Sequence, residues 1–176
     1  MTWVNTNSNT ADTVTAPTYQ FVNTPLLRVG YRAFEPASGT SAAGVVMLLH
    51  GWPDSPATWD RVVPHLVQAG YQVIVPALRG FSPTTFLNDD TPRTGQLAAL
   101  GRDLVDLMAA LGIHRPVLVG HDWGARAVAN ACGLVADLAS HMVLLPQNPK
   151  TPRGFYFKKC LFLSQKVMLM KSQINE

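Results

Sequence analysis

Four short apolar runs, "VVMLL" (45–49), "YQVIVPAL" (71–78), "RPVLVG" (115–120) and "HMVLLP" (141–146), recur along the chain with little polar alternation. A strand that reads this way is buried on both faces, which is the condition of strands in a sheet covered by helices on both sides. The stretches between the runs carry helical spacing instead. "SPATWDRVVPHLVQAG" puts Trp59, Val62, Val63 and Leu66 on one face, starts with Ser55 as cap and Pro56 at the first position, and stops at Gly70. Pro64 inside that stretch predicts a kink. Residues 92–111 align Leu97, Leu100, Leu104, Leu107, Met108 and Leu111 along one stripe, and 124–136 reads as a helix of small residues. Strands alternating with helices imply right-handed crossovers and a mainly parallel sheet, so the fold class is α/β. Upstream, "YQFV" and "LLRVGYRAFE" alternate as two antiparallel strands, and "EPASGTSAAG" and "RGFSPTTFLNDD" read as loops.

Both ends depart from this pattern. Residues 1–16 are rich in Thr, Asn and Ser without hydrophobic period and read as disordered. After Pro146 the strand–helix alternation stops, and the segment from about 155 to 171 reads as one helix with apolar and basic faces. The domain therefore spans 17–149, with a basic, apolar tail over 150–176. All five lysines lie in that tail, which carries 6 basic residues against 1 acid, whereas residues 1–149 hold 8 arginines against 10 acids. The overall charge of +3 thus belongs to the tail, and the body has no basic face of the kind nucleic acid requires. A membrane contact would fall to the same tail. The first residues lack a basic and apolar leader pattern, and no apolar run is long enough to span a bilayer, so a cytoplasmic protein is expected. Cys132 and Cys160 have no metal-ligand or disulfide-framework spacing, and neither a metal nor a cofactor is expected.

Chemistry concentrates at the ends of two of the buried strands. "VLVGHDWGARAV" (117–128) sets Asp122 between Gly120 and Gly124 at a strand-to-helix junction. Small residues two before and two after a nucleophile allow a sharp, strained turn with the helix passing close behind it. By itself the segment leaves two readings open: Asp122 as nucleophile, or Asp122 as the cap of the following helix. "LLHGWPDS" (48–55) adds His50, Gly51, Trp52 and Pro53 directly after a buried strand, and "LRGFSPT" (78–84) follows the next strand as an Arg-Gly turn.

With these segments together the chain resembles the α/β-hydrolase superfamily, in particular its epoxide hydrolase-like branch with an aspartate nucleophile. The resemblance runs from about residue 19 to 146 and covers the N-terminal half of the family pattern, as far as the strand after the elbow and without a cap domain. It implies Asp122 as nucleophile, the backbone N–H groups of Trp52 and Trp123 as oxyanion donors, and a cis Trp52–Pro53 peptide. His50, Gly51, Pro53, Gly120 and Gly124 would support those turns. The reaction implied is attack of Asp122 on an electrophilic carbon of a small hydrophobic epoxide or related electrophile, giving an alkyl-enzyme ester. A water activated by a histidine, itself oriented by an acid, would then hydrolyse that ester. A carboxylate is ionised at neutral pH without a neighbouring base and displaces oxygen or halide at saturated carbon, which argues against esterase chemistry. A haloalkane dehalogenase-like reading stays open, although those enzymes usually carry asparagine where Trp52 stands. A non-catalytic remnant or binding protein is the alternative of another class.

The chain departs from the family in two places. The second glycine of the Arg-Gly turn is replaced by Ser82. The partners for the second chemical step are also absent from the pattern. His50 belongs to the oxyanion turn, and His65 and His114 read as packing or solvent residues. His121 adjoins Asp122 on a tight turn, where the two side chains should diverge. His141 and Asp137 fall at the edge of the sheet opposite the elbow. Tyr156 lies in the tail, with nothing to support a role in polarising an epoxide oxygen. The expected machinery is therefore that of the first step, with no credible base.

Overall fold

The four buried runs become four neighbouring strands. The computed structural model describes residues 18–36 and 42–145, together with the backbone of 156–159. In chain order these form β1 (Gln20–Asn23), β2 (Leu27–Phe34), β3 (Val45–Leu49), a 3₁₀ turn (Pro56–Trp59), α1 (Val63–Gln68), β4 (Gln72–Pro76) and β5 (Thr85–Phe86). Then follow α2 (Leu97–Ala110), β6 (Val117–His121), α3 (Trp123–Leu134), β7 (His141–Leu145) and β8 (Tyr156–Lys159). The spatial order is β1-β2-β4-β3-β6-β7-β8, with β5 paired to β2. Strands β4, β3, β6 and β7 run parallel; at one side β2 pairs antiparallel with β4, β1 and β5, and at the other β8 pairs antiparallel with β7. The result is an α/β-hydrolase-type sheet with helices on both faces.

Period-two alternation along the strands explains the two cores. Met47, Leu49, Ile74 and Leu118 point to the side of α2 and α3, where Leu104 and Val128 meet them. Val46, Leu48, Val73 and Val75 point to the opposite side, against Trp59 and Val63. The chain goes from β3 outward to β4, then crosses back over β3 to β6. The order of strands therefore reverses between β3 and β6, and a crevice opens there at their carboxyl ends. Asp122 and Trp52 follow those two ends.

Several boundaries differ from the sequence expectation, each for a local reason. The stretch 55–69 is divided into the 3₁₀ turn and α1 instead of forming one kinked helix. Pro64 occupies the first turn of α1, where its missing N–H has no intrahelical partner to lose. The helix expected over 92–111 begins only at Leu97, because Gln96 is extended (φ −61°, ψ 138°) and the preceding residues turn back on themselves, Thr94 N–H reaching the Pro92 carbonyl at 2.9 Å. β5 arises inside the stretch read as a loop.

The helix expected from about 155 to 171 is corrected: Tyr156–Lys159 form a strand antiparallel to β7, with His141 opposite Lys159. Backbone pairing at an otherwise open sheet edge, in a segment containing two aromatics, outweighs the amphipathic pattern. The sheet thus runs one strand past the last one legible in the sequence. The rest of that expected helix, and the expected disorder of 1–16, lie outside the described residues. Among the described residues no helix is long and apolar enough to cross a membrane.

Helices α2 and α3 are in close contact at Gly101. A Cβ on Gly101 would lie 2.7 Å from the Asn130 Cβ and 2.8 Å from the Ala131 nitrogen. Gly101→Ala must therefore push the two helices apart. The expected outcome is a loss of about 1–3 kcal/mol in stability, read as a lower urea midpoint with an unchanged denaturant slope.

Candidate active site

The turn after β6 has the conformation its sequence requires. Asp122 has φ 51° and ψ −111°, in the left-handed half of backbone space that a side chain occupies only under constraint. The constraint comes from the backbone on both sides. A Cβ on Gly120 would stand 2.4 Å from the Gly124 carbonyl carbon, and one on Gly124 would stand 2.3 Å from the Leu49 carbonyl oxygen. Such gaps admit only hydrogen, so α3 can start directly behind the end of β3. The Asp122 N–H donates to the Leu145 carbonyl of β7 (3.0 Å), and the Asp122 carbonyl accepts from the Arg126 N–H in the first turn of α3 (3.2 Å).

The cap alternative fails on geometry, since the Asp122 side chain makes no hydrogen bond to the amides of α3. Its carboxylate turns toward the neighbouring loop, where Oδ1 accepts the Trp52 N–H at 3.1 Å. Gly51 makes that approach possible: a Cβ there would lie 2.7 Å from the Asp122 Cβ and 3.0 Å from Oδ1. The Trp52–Pro53 peptide is cis, and the Trp52 side chain is 60% exposed beside the buried carboxylate. Trp123, half-buried, opens α3, so its backbone N–H belongs to the helix end nearest Asp122.

His50 holds the turn that leads to Trp52, and both of its ring nitrogens are engaged. The ring is fully buried; Nδ1 donates to the Gly51 carbonyl at 2.9 Å and Nε2 accepts the Leu78 N–H at 3.1 Å. That pairing defines a neutral ring protonated at Nδ1. Burial pushes the His50 imidazole below its ordinary value of 6.5, opposed by the bond to Gly51 and by the charge of Asp54. The edge of the ring also meets Phe81, at 4.8 Å between centroids. The turn carrying Ser82 in place of glycine is closed by Phe81 N–H to the Leu78 carbonyl (3.1 Å).

The other histidines do not reach the carboxylate through any of these contacts. His65 and His114 are exposed, on α1 and in the turn before β6. His121 ends β6 on the face of Val117 and Val119, with Nδ1 buried and unpartnered. His141 begins β7, four residues before the Leu145 that bonds Asp122, a separation of about 13 Å at 3.3 Å per residue. Asp137 lies at the same far edge and pairs with Arg115 at 3.7 Å. Among the described residues no three His, Cys, Asp or Glu side chains converge as a metal site would require.

Two charged residues near the site were not singled out from the sequence. Arg79, in the Arg-Gly turn, binds both carboxylate oxygens of Asp103, at 2.5 and 2.6 Å. Burial pushes the Asp103 carboxyl up, while the Arg79 guanidinium pulls it back. A signal existed: Asp103 interrupts the apolar stripe of α2 between Leu100 and Leu104, and a carboxylate there demands a buried partner.

The family model for the alpha/beta hydrolase fold matches residues 44–157, and the chain belongs to that family. Among curated proteins it is similar to epoxide hydrolase A of Mycobacterium tuberculosis, 37% identical over 139 residues, which cover 79% of this chain and 41% of the relative. It is also similar to an epoxide hydrolase of Caballeronia sordidicola, 41% identical over 96 residues, covering 54% of this chain and 29% of that protein. The crystal structure of epoxide hydrolase A from Mycobacterium thermoresistibile superposes with a TM-score of 0.63 at 27% identity, covering 91% of this chain and 46% of that one. The chain thus spans less than half the length of these relatives.

The state of His50 has a consequence for stability. The folded protein keeps the ring neutral below pH 6.5, whereas the unfolded chain takes up a proton there. This contribution is fully present above the unfolded value and is lost as pH falls through the folded one, with a slope of at most about 1.4 kcal/mol per pH unit. Urea midpoints measured between pH 7.5 and 5 are expected to fall more steeply for the parent chain than for His50→Gln. In that variant an amide oxygen replaces Nε2 as acceptor and cannot be protonated in this range.

Proposed function

We propose that this chain carries the nucleophilic half of an epoxide hydrolase-like active site, with Asp122 as the attacking group. The observation that carries the reading is the Asp122 carboxylate, held on a strained elbow away from its own helix and bonded at 3.1 Å to the Trp52 N–H. One carboxylate oxygen is thereby fixed by a backbone donor, and the other can act as nucleophile. Attack forms a C–O bond to an epoxide carbon and breaks that carbon's bond to the ring oxygen. The released electron pair stays on the oxygen as an alkoxide, which takes a proton from water.

The product of this step is an alkyl ester of Asp122. When water adds to the ester carbonyl, negative charge would gather on the oxygen that accepts the Trp52 amide, with the Trp123 amide at the start of α3 as the second donor, a position at which preorganised donors lower the barrier. Release of the diol restores the carboxylate. The exposed Trp52 ring beside a buried acid suits a small hydrophobic substrate that covers the crevice. Similarity to proteins named epoxide hydrolases supports the same substrate class. Two of the described histidines are ill placed to act as base for the second step, which supports the reading that turnover is incomplete: His50 is committed at both nitrogens, and His141 lies at the far edge. The chain by itself is therefore expected to stop at the ester.

Intact-protein mass spectrometry after incubation with an aryl epoxide tests this. The expected result is a stable adduct of one substrate mass on a peptide containing Asp122, and none in Asp122→Asn at the same exposure. Multiple turnover without an accumulating adduct, or an adduct that survives Asp122→Asn, would overturn the proposal.

A further inference from the structure

Leu78 and Arg79, the residues leaving β4, reach both flanks of the crevice. The Leu78 N–H holds His50 at 3.1 Å and thereby the turn that carries Trp52. Arg79 works on the other flank. Its Nε and Nη2 take the two oxygens of Asp103, at 2.5 and 2.6 Å, and its Nη1 donates to the Thr94 carbonyl at 3.1 Å. The guanidinium thus ties α2 to the segment just ahead of it, and the pair is buried, with side chains 5% and 14% exposed. A planar fork fixed at three points sets direction as well as distance, which a lysine cannot do.

The next residue, Gly95, lies against the indole of Trp123. A Cβ at Gly95 would stand 3.3 Å from Cη2 and 3.5 Å from Cζ3 of that ring. Gly95 is not among the residues with left-handed φ, so its backbone conformation does not call for glycine; the constraint is the Trp123 ring, which a side chain at 95 would have to displace by a few tenths of an ångström. A buried ion pair kept for stability alone would need neither the Thr94 carbonyl nor a bare Cα at 95, and such pairs give little net stabilisation.

We propose that Arg79 is a positioning residue of the active site: with Asp103 and Thr94 it seats Gly95 against Trp123 and so fixes the backbone amide of Trp123 at the elbow. The inference rests on Trp123 being the second oxyanion donor, as proposed above. β4 then serves both donors, one through the Leu78 amide and the other through the Arg79 side chain.

Arg79→Lys and Gly95→Ala in the full chain test this by two measurements. In the ¹H–¹⁵N spectrum both variants are expected to move the Trp123 amide signal. With an aryl epoxide, both should slow ester formation at Asp122 about tenfold per folded molecule, a fraction of what loss of an oxyanion donor costs. A purely structural pair would lower the unfolding midpoint of Arg79→Lys and leave the Trp123 amide and the rate per folded molecule where they are in the parent; that result overturns the proposal. If Arg79→Lys does not fold, Gly95→Ala decides, because it leaves the ion pair in place. If the parent forms no ester, the proposed function fails, and the Trp123 amide in the two variants still decides whether Arg79 positions it.

Discussion

Everything at the site depends on how closely the backbone of α3 passes behind the end of β3. The Leu49 carbonyl oxygen lies within 2.3 Å of where a Cβ on Gly124 would be, and the Gly124 carbonyl within 2.4 Å of where a Cβ on Gly120 would be. Because neither glycine has a side chain, helix and strand meet backbone to backbone, and the residue between them is forced to a φ of 51°. That turn lifts the Asp122 side chain off its own helix and into reach of the Trp52 amide. A single methyl at either glycine would move α3 outward and take the carboxylate with it.

Two charged or titratable groups beside this contact are engaged within the fold. His50 is the clearest example. A buried imidazole could hold charge only at a large desolvation cost, so it stays neutral and spends one nitrogen on each of two loops. Asp103 and Arg79 divide the work differently. Burial opposes charge on the carboxylate, the guanidinium favours it, and the guanidinium's remaining donor reaches a third segment. In both cases a charged or titratable side chain is engaged in holding backbone, and the Asp122 carboxylate is bonded at one oxygen to the Trp52 amide.

Most of the sheet was legible because its evidence is local. Four uninterrupted apolar runs name four doubly covered strands, and the glycines around Asp122 name the sharp turn. The misreadings arose where local pattern competes with longer-range pairing. Tyr156–Lys159 has an amphipathic helical look, yet an open edge on β7 offers it backbone partners. Thr85–Phe86 is too short to announce itself and exists because β2 lies alongside. Residues 92–96 lie ahead of the apolar stripe that begins at Leu97, and they turn, the Thr94 carbonyl accepting from Arg79. Asp103 could have been suspected as a charge on an apolar stripe, whereas its partner could not have been named.

The sequence alone determined the class of sheet, the strand-to-helix elbow with Asp122 at its tip, and the turn that carries Trp52. It could do so because periodicity, glycine spacing and proline placement act over a few residues. Tertiary structure decided that the Asp122 carboxylate turns to the Trp52 amide and away from its own helix, where each nitrogen of His50 goes, and that Arg79 spans from α2 to the segment before it. Those outcomes join residues 70, 28 and 24 positions apart along the chain. They follow from the reversal of strand order between β3 and β6, which brings the ends of separate strands to one crevice and which no local pattern encodes.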